Sequence, residues 1–321
     1  MKYICFAALA SCSLASAAGL VAKGPPQWHP GAEECTPDTT HTEIREIDDV
    51  TYVLRQNPCV DYEANLVYLL LGTQRALLID TGAVEGEKAA PLAGLVWLAL
   101  ERAGKGKLPL LVAHTHGHLD HRAGDQAFAR LPNTVIAPGE SAAMREVLGF
   151  KDWPNDIARI DLGGRIVDLI PTPGHHEDHI VFYDRQSERL FTGDFLLQGR
   201  LLVDDLDAYH ASAQRVVDFI DKHPVSEVLG AHIELDVTGT AYPTGATFHP
   251  NERVRPLTTF DVRNLPAALA DFNGFYSRHP NFIVVNPIHN LLALASGIVV
   301  ALAFLVWMGR RLWRRRRVSA G

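Results

Sequence analysis

The apolar residues of this chain fall first into short runs cut by turn residues. Val50 to Leu54, Asn65 to Leu71 and Ala76 to Ile79 are bounded by Asn57-Pro58, Gly72-Thr73 and Thr81-Gly82, a pattern that predicts a meander of strands. Glu85 to Arg102 changes to helical spacing and is stopped by Gly104. Leu108 to Ala113 is an apolar run that predicts a buried strand, followed by a helix over Ala123 to Arg130, a strand over Thr134 to Ala137 and a helix over Glu140 to Leu148. The second half repeats this logic. Strands are expected at Arg165 to Ile170, Ile180 to Tyr183, Leu190 to Thr192 and Val225 to Leu229. A helix over Asp207 to His223 places Ala211, Val216, Val217, Phe219 and Ile220 on its apolar positions. Thr238 to Pro256 is rich in turn residues, and Asp261 to Phe275 predicts one more helix. Strand blocks alternating with helices in two similar halves predict an α/β (α+β) fold with two packed sheets and helices outside.

The two ends follow other rules. Leu291 to Met308 carries no charge and is followed by Arg310, Arg311 and Arg314 to Arg317. About 20 apolar residues cross a bilayer, and arginines after such a span stay on the cytoplasmic side. Residues 1–18 hold Lys2, an apolar run and Ala15-Ser16-Ala17, the pattern of a secretory signal cleaved near Ala17. Leu9-Ala10-Ser11-Cys12 offers a second reading, lipidation at Cys12. The expected organisation is a signal at 1–18, an arm at 19–44, a folded body at 45–250, an extension at 251–287, a transmembrane helix at 288–309 and a basic cytoplasmic tail at 310–321. A bacterial inner membrane with the body in the periplasm fits both ends, and the lipid bilayer is one expected partner.

Composition narrows the function. With 321 residues and 47% apolar content, the chain can bury one large core or two smaller ones. The formal charge of −7 already includes the six tail arginines, so the body is more acidic still. Nucleic acid is bound chiefly by cations on phosphate, so it is not an expected partner. Of the 4 cysteines, Cys5 and Cys12 lie in the signal. Cys35 and Cys59 remain as candidates for a disulfide in an exported chain, or as two separate thiols. Neither has metal-ligand spacing.

The chemistry is concentrated after the strand Leu108 to Ala113, in His114-Thr115-His116-Gly117-His118-Leu119-Asp120-His121. Alternate residues of an extended chain share a side, so His116 and His118 are expected to face one ion. Asp120 and His121 lie a turn further on, available to a second. Imidazole and carboxylate suit zinc, and also iron or manganese. One loop cannot complete two ions. Pro173-Gly174-His175, Gly193-Asp194 and Ala231-His232 each place a ligand just past a predicted strand and beside a turn residue. His114 is expected to pack or to support the cluster.

These residues resemble the H-x-H-x-D-H, His, Asp, His pattern of the metallo-β-lactamase fold superfamily. Leu78-Ile79-Asp80-Thr81-Gly82, Thr172-Pro173-Gly174-His175 and Phe191-Thr192-Gly193-Asp194 match as well, and the resemblance spans about residues 45–235. It implies a four-layer αββα sandwich with two divalent metal ions, zinc first, at the strand ends. By that resemblance His116, His118 and His175 hold one ion, Asp120, His121 and His232 the other, and Asp194 bridges them. Asp80 orients the ligand loop, and Asp120 acts in catalysis by orienting the nucleophile; His179, close after His175, is a separate candidate for supporting the site. A bridging carboxylate with no nearby cysteine is similar to the glyoxalase II or lactonase ligand set. Only Arg253, Arg255, Arg263 and Arg278 follow His232 before the span, a poor grip for glutathione.

The expected function is a membrane-anchored metallo-hydrolase acting on a small-molecule ester, thioester, lactone or lactam. Two rivals differ in kind: a mononuclear iron oxidoreductase like the persulfide dioxygenases, and a non-catalytic fold relative that only binds. Glu234, Tyr242 and His249 are candidates for the substrate side, and His176 for the pocket wall.

Overall fold

The structure is a computed structural model that describes residues 21–23, 27–39, 42–139 and 141–318. The expected signal segment with Cys12, Glu140 and the last three residues of the chain lie outside the described residues. The first half contains β1 (Val21–Lys23), β2 (Glu43–Asp48), β3 (Thr51–Arg55), β4 (Leu66–Leu71), β5 (Ala76–Ile79), α1 (Ala90–Arg102), β6 (Leu110–Ala113), α2 (Leu119–Arg122), α3 (Asp125–Phe128) and β7 (Thr134–Ile136). The second half contains α4 (Ser141–Leu148), β8 (Ala158–Asp161), β9 (Ile166–Pro171), β10 (Ile180–Asp184), β11 (Arg189–Gly193), β12 (Arg200–Leu202), α5 (Leu206–Ile220), β13 (Glu227–Gly230), α6 (Thr259–Ala270), β14 (Tyr276–Arg278), β15 (Ile283–Val285) and α7 (Pro287–Val318).

Strands β1 to β7 form one sheet in sequence order, and β13-β11-β10-β9-β8 form a second. Strand parity explains the layers. Val53, Tyr68, Leu70, Leu77, Ile79 and Ala113 of the first sheet meet Val167, Leu169, Ile180, Phe182 and Phe191 of the second. The intervening residues Leu54, Val67, Leu69, Leu71, Leu78 and Val112 turn outward onto Leu92, Val96 and Leu100 of α1. On the other side, Ile170, Val181 and Leu190 turn outward onto Tyr209, Val216 and Ile220 of α5, with Val262 and Leu265 of α6. Strands buried on both faces read as unbroken apolar runs, which is why β4 and β5 are wholly buried.

One buried ion pair ties the sheets together. Arg165 donates to both carboxylate oxygens of Asp184 on β10, at 3.1 and 2.7 Å. It also reaches the first sheet, donating to Val50 O, Leu71 O and Thr51 Oγ1.

The elements depart from the sequence reading at several points. The helix expected from Glu85 begins as a 3-10 turn, Gly86–Ala89, and becomes α-helical only at Ala90, with Pro91 in its first turn. The helix expected over Ala123 to Arg130 is shortened to α3, and a separate short helix, α2, precedes it. Thr81 N donates to His121 O, the carbonyl that a continuous helix would offer to Asp125 N, so the loop after β5 takes a backbone bond that a continuous helix would need. Thr258 and Asp261 form a capping box that starts α6, which stops at Ala270. The chain then turns at Asn273-Gly274 into a third sheet, β12-β15-β14. A disulfide joins Cys35 of the expected arm to Cys59 of the body, and Ala32 N of the arm donates to Thr247 O at 3.0 Å.

Candidate metal centre

β5, β6, β9, β11 and β13 all deliver chain to one end of the sandwich. β6 ends at Ala113, and the loop after it carries His116 in a bend and His118 in extended backbone, where it is the N-cap of α2. Asp120 and His121 therefore stand in the first turn of a helix. His175 follows β9, Asp194 follows β11 and His232 follows β13. The β11–β13 register shifts between Phe191 and Gly193, a bulge that redirects the chain at Asp194. Gly193 has φ +50°, and a Cβ there would lie 2.7 Å from Thr115 Cβ and 3.0 Å from His179 Nε2. Only a glycine lets this turn press so closely against the cluster loop.

The seven side chains converge as two groups, His116, His118 and His175, and Asp120, His121, Asp194 and His232, with the donor atoms of each group within 4.8 Å of one another. In the first group, His116 Nε2 and His118 Nδ1 are 2.9 Å apart, and His175 Nε2 is 3.2 Å from each. In the second, His121 Nε2 lies 3.1 Å from Asp120 Oδ2 and 3.4 Å from Asp194 Oδ1. His232 Nε2 lies 3.2 Å from Asp194 Oδ1 and 3.5 Å from Asp120 Oδ2. The other Asp194 oxygen, Oδ2, faces the first group, 3.5 Å from His175 Nε2. His121 Nε2 and Asp194 Oδ1 are buried and make no hydrogen bond. Buried polar atoms without partners are costly, and a cation between them would satisfy both. The donor set therefore fits metal ions.

A family profile described as the metallo-beta-lactamase superfamily matches residues 61–232. The chain belongs to this superfamily. Acyl-coenzyme A thioesterase MBLAC2 of Gallus gallus is 27% identical over 208 residues, covering 53% of this chain and 72% of the relative. Hydroxyacylglutathione hydrolase of Chromohalobacter salexigens is 31% identical over 173 residues, covering 51% of this chain and 61% of the relative. Among solved structures, a metallo-beta-lactamase from Pontibacter korlensis superposes with a TM-score of 0.51 at 18% identity, over 72% of this chain and 100% of that one. That last likeness speaks for the fold. The thioesterase and hydrolase relatives, together with the His and Asp cluster, make this superfamily member a metallo-hydrolase.

Three imidazoles of the metallo-hydrolase's cluster are steadied through a second atom. His175 Nδ1 donates to Leu202 O at 3.0 Å, and His232 Nδ1 donates to Glu63 O at 2.7 Å. His121 Nδ1 donates to Asp80 Oδ2 at 2.9 Å. The same carboxylate accepts from Thr115 N and Thr115 Oγ1, at 2.7 and 2.9 Å, which locks the start of the cluster loop. Asp80 does this from a left-handed conformation, φ 68°, which aspartate tolerates better than most residues. His179 accepts the amides of Asp194 and Phe195 on Nε2, both at 3.2 Å, while its Nδ1 bonds Thr172 Oγ1 at 2.8 Å. It holds the Asp194 turn. Burial pushes His179 and His116 well below the usual histidine range, with nearby histidines adding to the effect. Burial also pulls on His121 and His232, but Asp194 and the neighbouring carboxylates outweigh it and raise both. Burial would raise Asp194, yet His232 and His121 hold it well below the carboxylate range.

The groups open into a cleft of about 190 Å³ that includes His118, Asp120, His175, Asp194 and His232. Glu234, Tyr242 and His249 lie in its wall, with Tyr242 stacked on His249 at 4.5 Å. Arg200 and Leu202 also line it and were not singled out from sequence, nor were Glu63 and Thr115. Nothing in their residue types marks them, because Glu63 and Leu202 act through backbone carbonyls. His176 packs beside His118, 5.0 Å between ring centres, and lies across Gly117. His114 is buried with Nε2 3.1 Å from Asp125 Oδ1. Cys35 and Cys59 line no part of the cleft. A larger cavity of about 380 Å³ lies between the sheet edges, under Trp28 and Tyr68. Bonds from Leu66 N to Ala231 O and from Tyr68 OH to Gly230 O run between that cavity and His232 of the cluster.

Proposed function

We propose that this metallo-hydrolase holds two divalent ions, zinc first, and cleaves an ester, thioester, lactone or lactam bond of a small molecule. The observation that carries the reading is Asp194. One of its oxygens faces His121 and His232 and the other faces His175, the disposition of a carboxylate shared by two ions. His116, His118 and His175 would hold the first ion, and Asp120, His121 and His232 the second. Two such ions would supply Lewis acidity and lower the pKa of water toward neutrality. Asp120 extends into the cleft beside Asp194 and is the group placed to orient a nucleophilic water and take its proton. Its carboxyl is well suited to remain ionised: burial would raise it, but His121 and His232 hold it far below the usual range. Asp80 and His179 act on the ligands rather than on substrate. Relatives named as thioesterases support a thioester first.

Metal analysis of protein purified without added metal, joined to a hydrolysis panel with and without chelator, tests this. Two zinc ions per chain and chelator-sensitive thioester or lactone cleavage are expected. One iron per chain would sink the dinuclear reading and favour an oxidoreductase.

The same proposal places the enzyme in a bacterial inner membrane, with its body in the periplasm and its C-terminus in the cytoplasm. Supporting it, Pro287–Arg311 has a mean hydropathy of 2.5 and none of its apolar window is buried in the fold. Residues 310–317 hold the arginines, and the chain begins with a signal-like segment at 1–18. Protease added to spheroplasts is expected to digest the body and spare the arginine tail. Protection of the body would reverse the orientation.

A further inference from the structure

The cleft and the foot of the apolar helix are built on the same small sheet. β12 supplies Leu202, whose carbonyl holds His175 Nδ1 at 3.0 Å and which lines the cleft. β12 runs parallel to β15, with Leu202 opposite Val285. Val203 N donates to Val285 O at 2.8 Å. Two residues later α7 begins, where Asn286 Oδ1 accepts the His289 amide at 2.9 Å. One strand spacing, about 4.8 Å, therefore separates the strand that steadies a cleft imidazole from the strand that feeds the helix.

This junction is braced rather than hinged. His289 Nδ1 donates to Gly274 O at 2.8 Å, and Asn290 Nδ2 donates to Phe275 O at 3.1 Å. Asn286 N donates to the same Phe275 carbonyl at 3.2 Å. Around this foot Phe275, Tyr276 and Ile288 stand 45%, 49% and 57% exposed. Aromatic side chains concentrate at the head-group level of membranes, where one end of the ring is apolar and the other wet.

We propose that the cleft works at the lipid surface, on an acyl amphiphile whose chain stays in the bilayer while its ester or thioester carbonyl reaches the metal ligands. This rests on the hydrolase and membrane readings above and adds the class of substrate. The head-group layer on each side of a bilayer is about 5–8 Å deep. A cleft one strand and one imidazole from the foot of α7 lies at the outer edge of that layer. The carbonyl of a lipid-anchored acyl group lies in the same layer. It need only rise slightly, whereas a cleft far from the membrane would require every methylene to leave the lipid. Leu197, Leu202 and Ile233 line the cleft beside His175, Asp194 and His232, an apolar wall for the first methylenes. Hydrolysis adds water to the acyl carbon and breaks its C–S or C–O bond. One water proton stays with the departing thiol or alcohol, the other is released, and the acyl group leaves as carboxylate.

The test uses the full chain in vesicles of phosphatidylcholine and phosphatidylglycerol. A fluorophore on Tyr62→Cys, at the rim of the cleft, reports transfer to a rhodamine-labelled lipid. Palmitoyl and butyryl thioesters of one thiol report turnover. A second protein carries about eight Gly and Ser residues inserted after Asn290, which adds roughly 15 Å of flexible reach. Strong transfer is expected for the uninserted chain and weaker transfer with the insertion. Palmitoyl turnover should fall by roughly tenfold or more on insertion, because the effective concentration of bilayer substrate drops, while butyryl turnover holds. Transfer that is weak, or indifferent to the insertion, overturns the placement whatever the rates. Strong transfer with neither thioester cleaved, or with no preference for palmitoyl, overturns the substrate class and leaves the placement standing. A chain that washes off the vesicles shows instead that the membrane reading has failed, and the proposal with it.

Discussion

Asp80 and the backbone carbonyls of Glu63 and Leu202 decide which nitrogen three of the cluster histidines offer. His121, His232 and His175 donate their Nδ1 hydrogens to them, so Nε2 is left with a lone pair facing the centre. Such partners fix ring orientation and ligand basicity. Asp80 has the greatest reach, because it also holds Thr115 through two bonds. Asp80→Ala is expected to weaken metal binding at Asp120, His121 and His232 by about 10–100-fold. The first group should keep more of its affinity. Metal titration with content analysis would detect this, and equal loss from both groups would refute the separate role of Asp80. The convergence of the cluster was legible in the sequence because seven chemistry-bearing residues follow predicted strands in one pattern. Glu63 and Leu202 were not, since any residue offers a carbonyl and only the fold says which carbonyl faces a histidine.

At the scale of elements, the strands that read clearly are those buried on both faces. β4 and β5 are unbroken apolar runs with no polar face to blur them. β2 is partly exposed along most of its length, β8 alternates buried and exposed residues, and β12, β14 and β15 are three residues each. Such strands carry too little local pattern to stand out, and pairing partners far along the chain create them. Two elements allow a direct check. Gly193→Ala would press a Cβ against Thr115 at the bulge that turns out Asp194. Overpacking of this kind costs about 1–3 kcal/mol, and here the shift would also move a ligand, so both melting temperature and metal content should fall. Arg165 is the other. It is buried with Asp184 and holds the first sheet by Val50, Thr51 and Leu71. Arg165→Ala strands a buried carboxylate, and breaking such a pair by removing one partner costs about 3–5 kcal/mol. Urea unfolding should show a loss of that order, and the Arg165→Ala, Asp184→Ala double variant should recover part of it. If the double variant lost the sum of two independent costs, Arg165 would not be acting through Asp184.

For the whole molecule, the centre is a clasp between the two sheets. His116, His118, Asp120 and His121 follow β6 of the first sheet, while His175, Asp194 and His232 follow β9, β11 and β13 of the second. Metal bound across them must therefore stabilise the sandwich. A ligand that binds only the folded state at 100 times its Kd adds about 2.7 kcal/mol, worth roughly 5–10 °C for a body of this size. Chelation should lower the melting temperature by about that much. The size of the gap should also depend on pH, in a direction the cluster fixes. His121 and His232 are raised above the ordinary histidine value because Asp194 and neighbouring carboxylates outweigh their burial. In the stripped protein their paired, protonated forms contribute stability fully below the unfolded value of about 6.5. That contribution is lost as pH rises through the higher folded values. The metal needs both imidazoles neutral and competes with those protons. Rising pH thus weakens the stripped form and favours the loaded one. Melting temperatures of loaded and chelated protein, read from about pH 6 to pH 9, should diverge. A gap that stayed constant or narrowed would mean that the metal displaces no proton from His121 or His232, and the second group would not be a metal site.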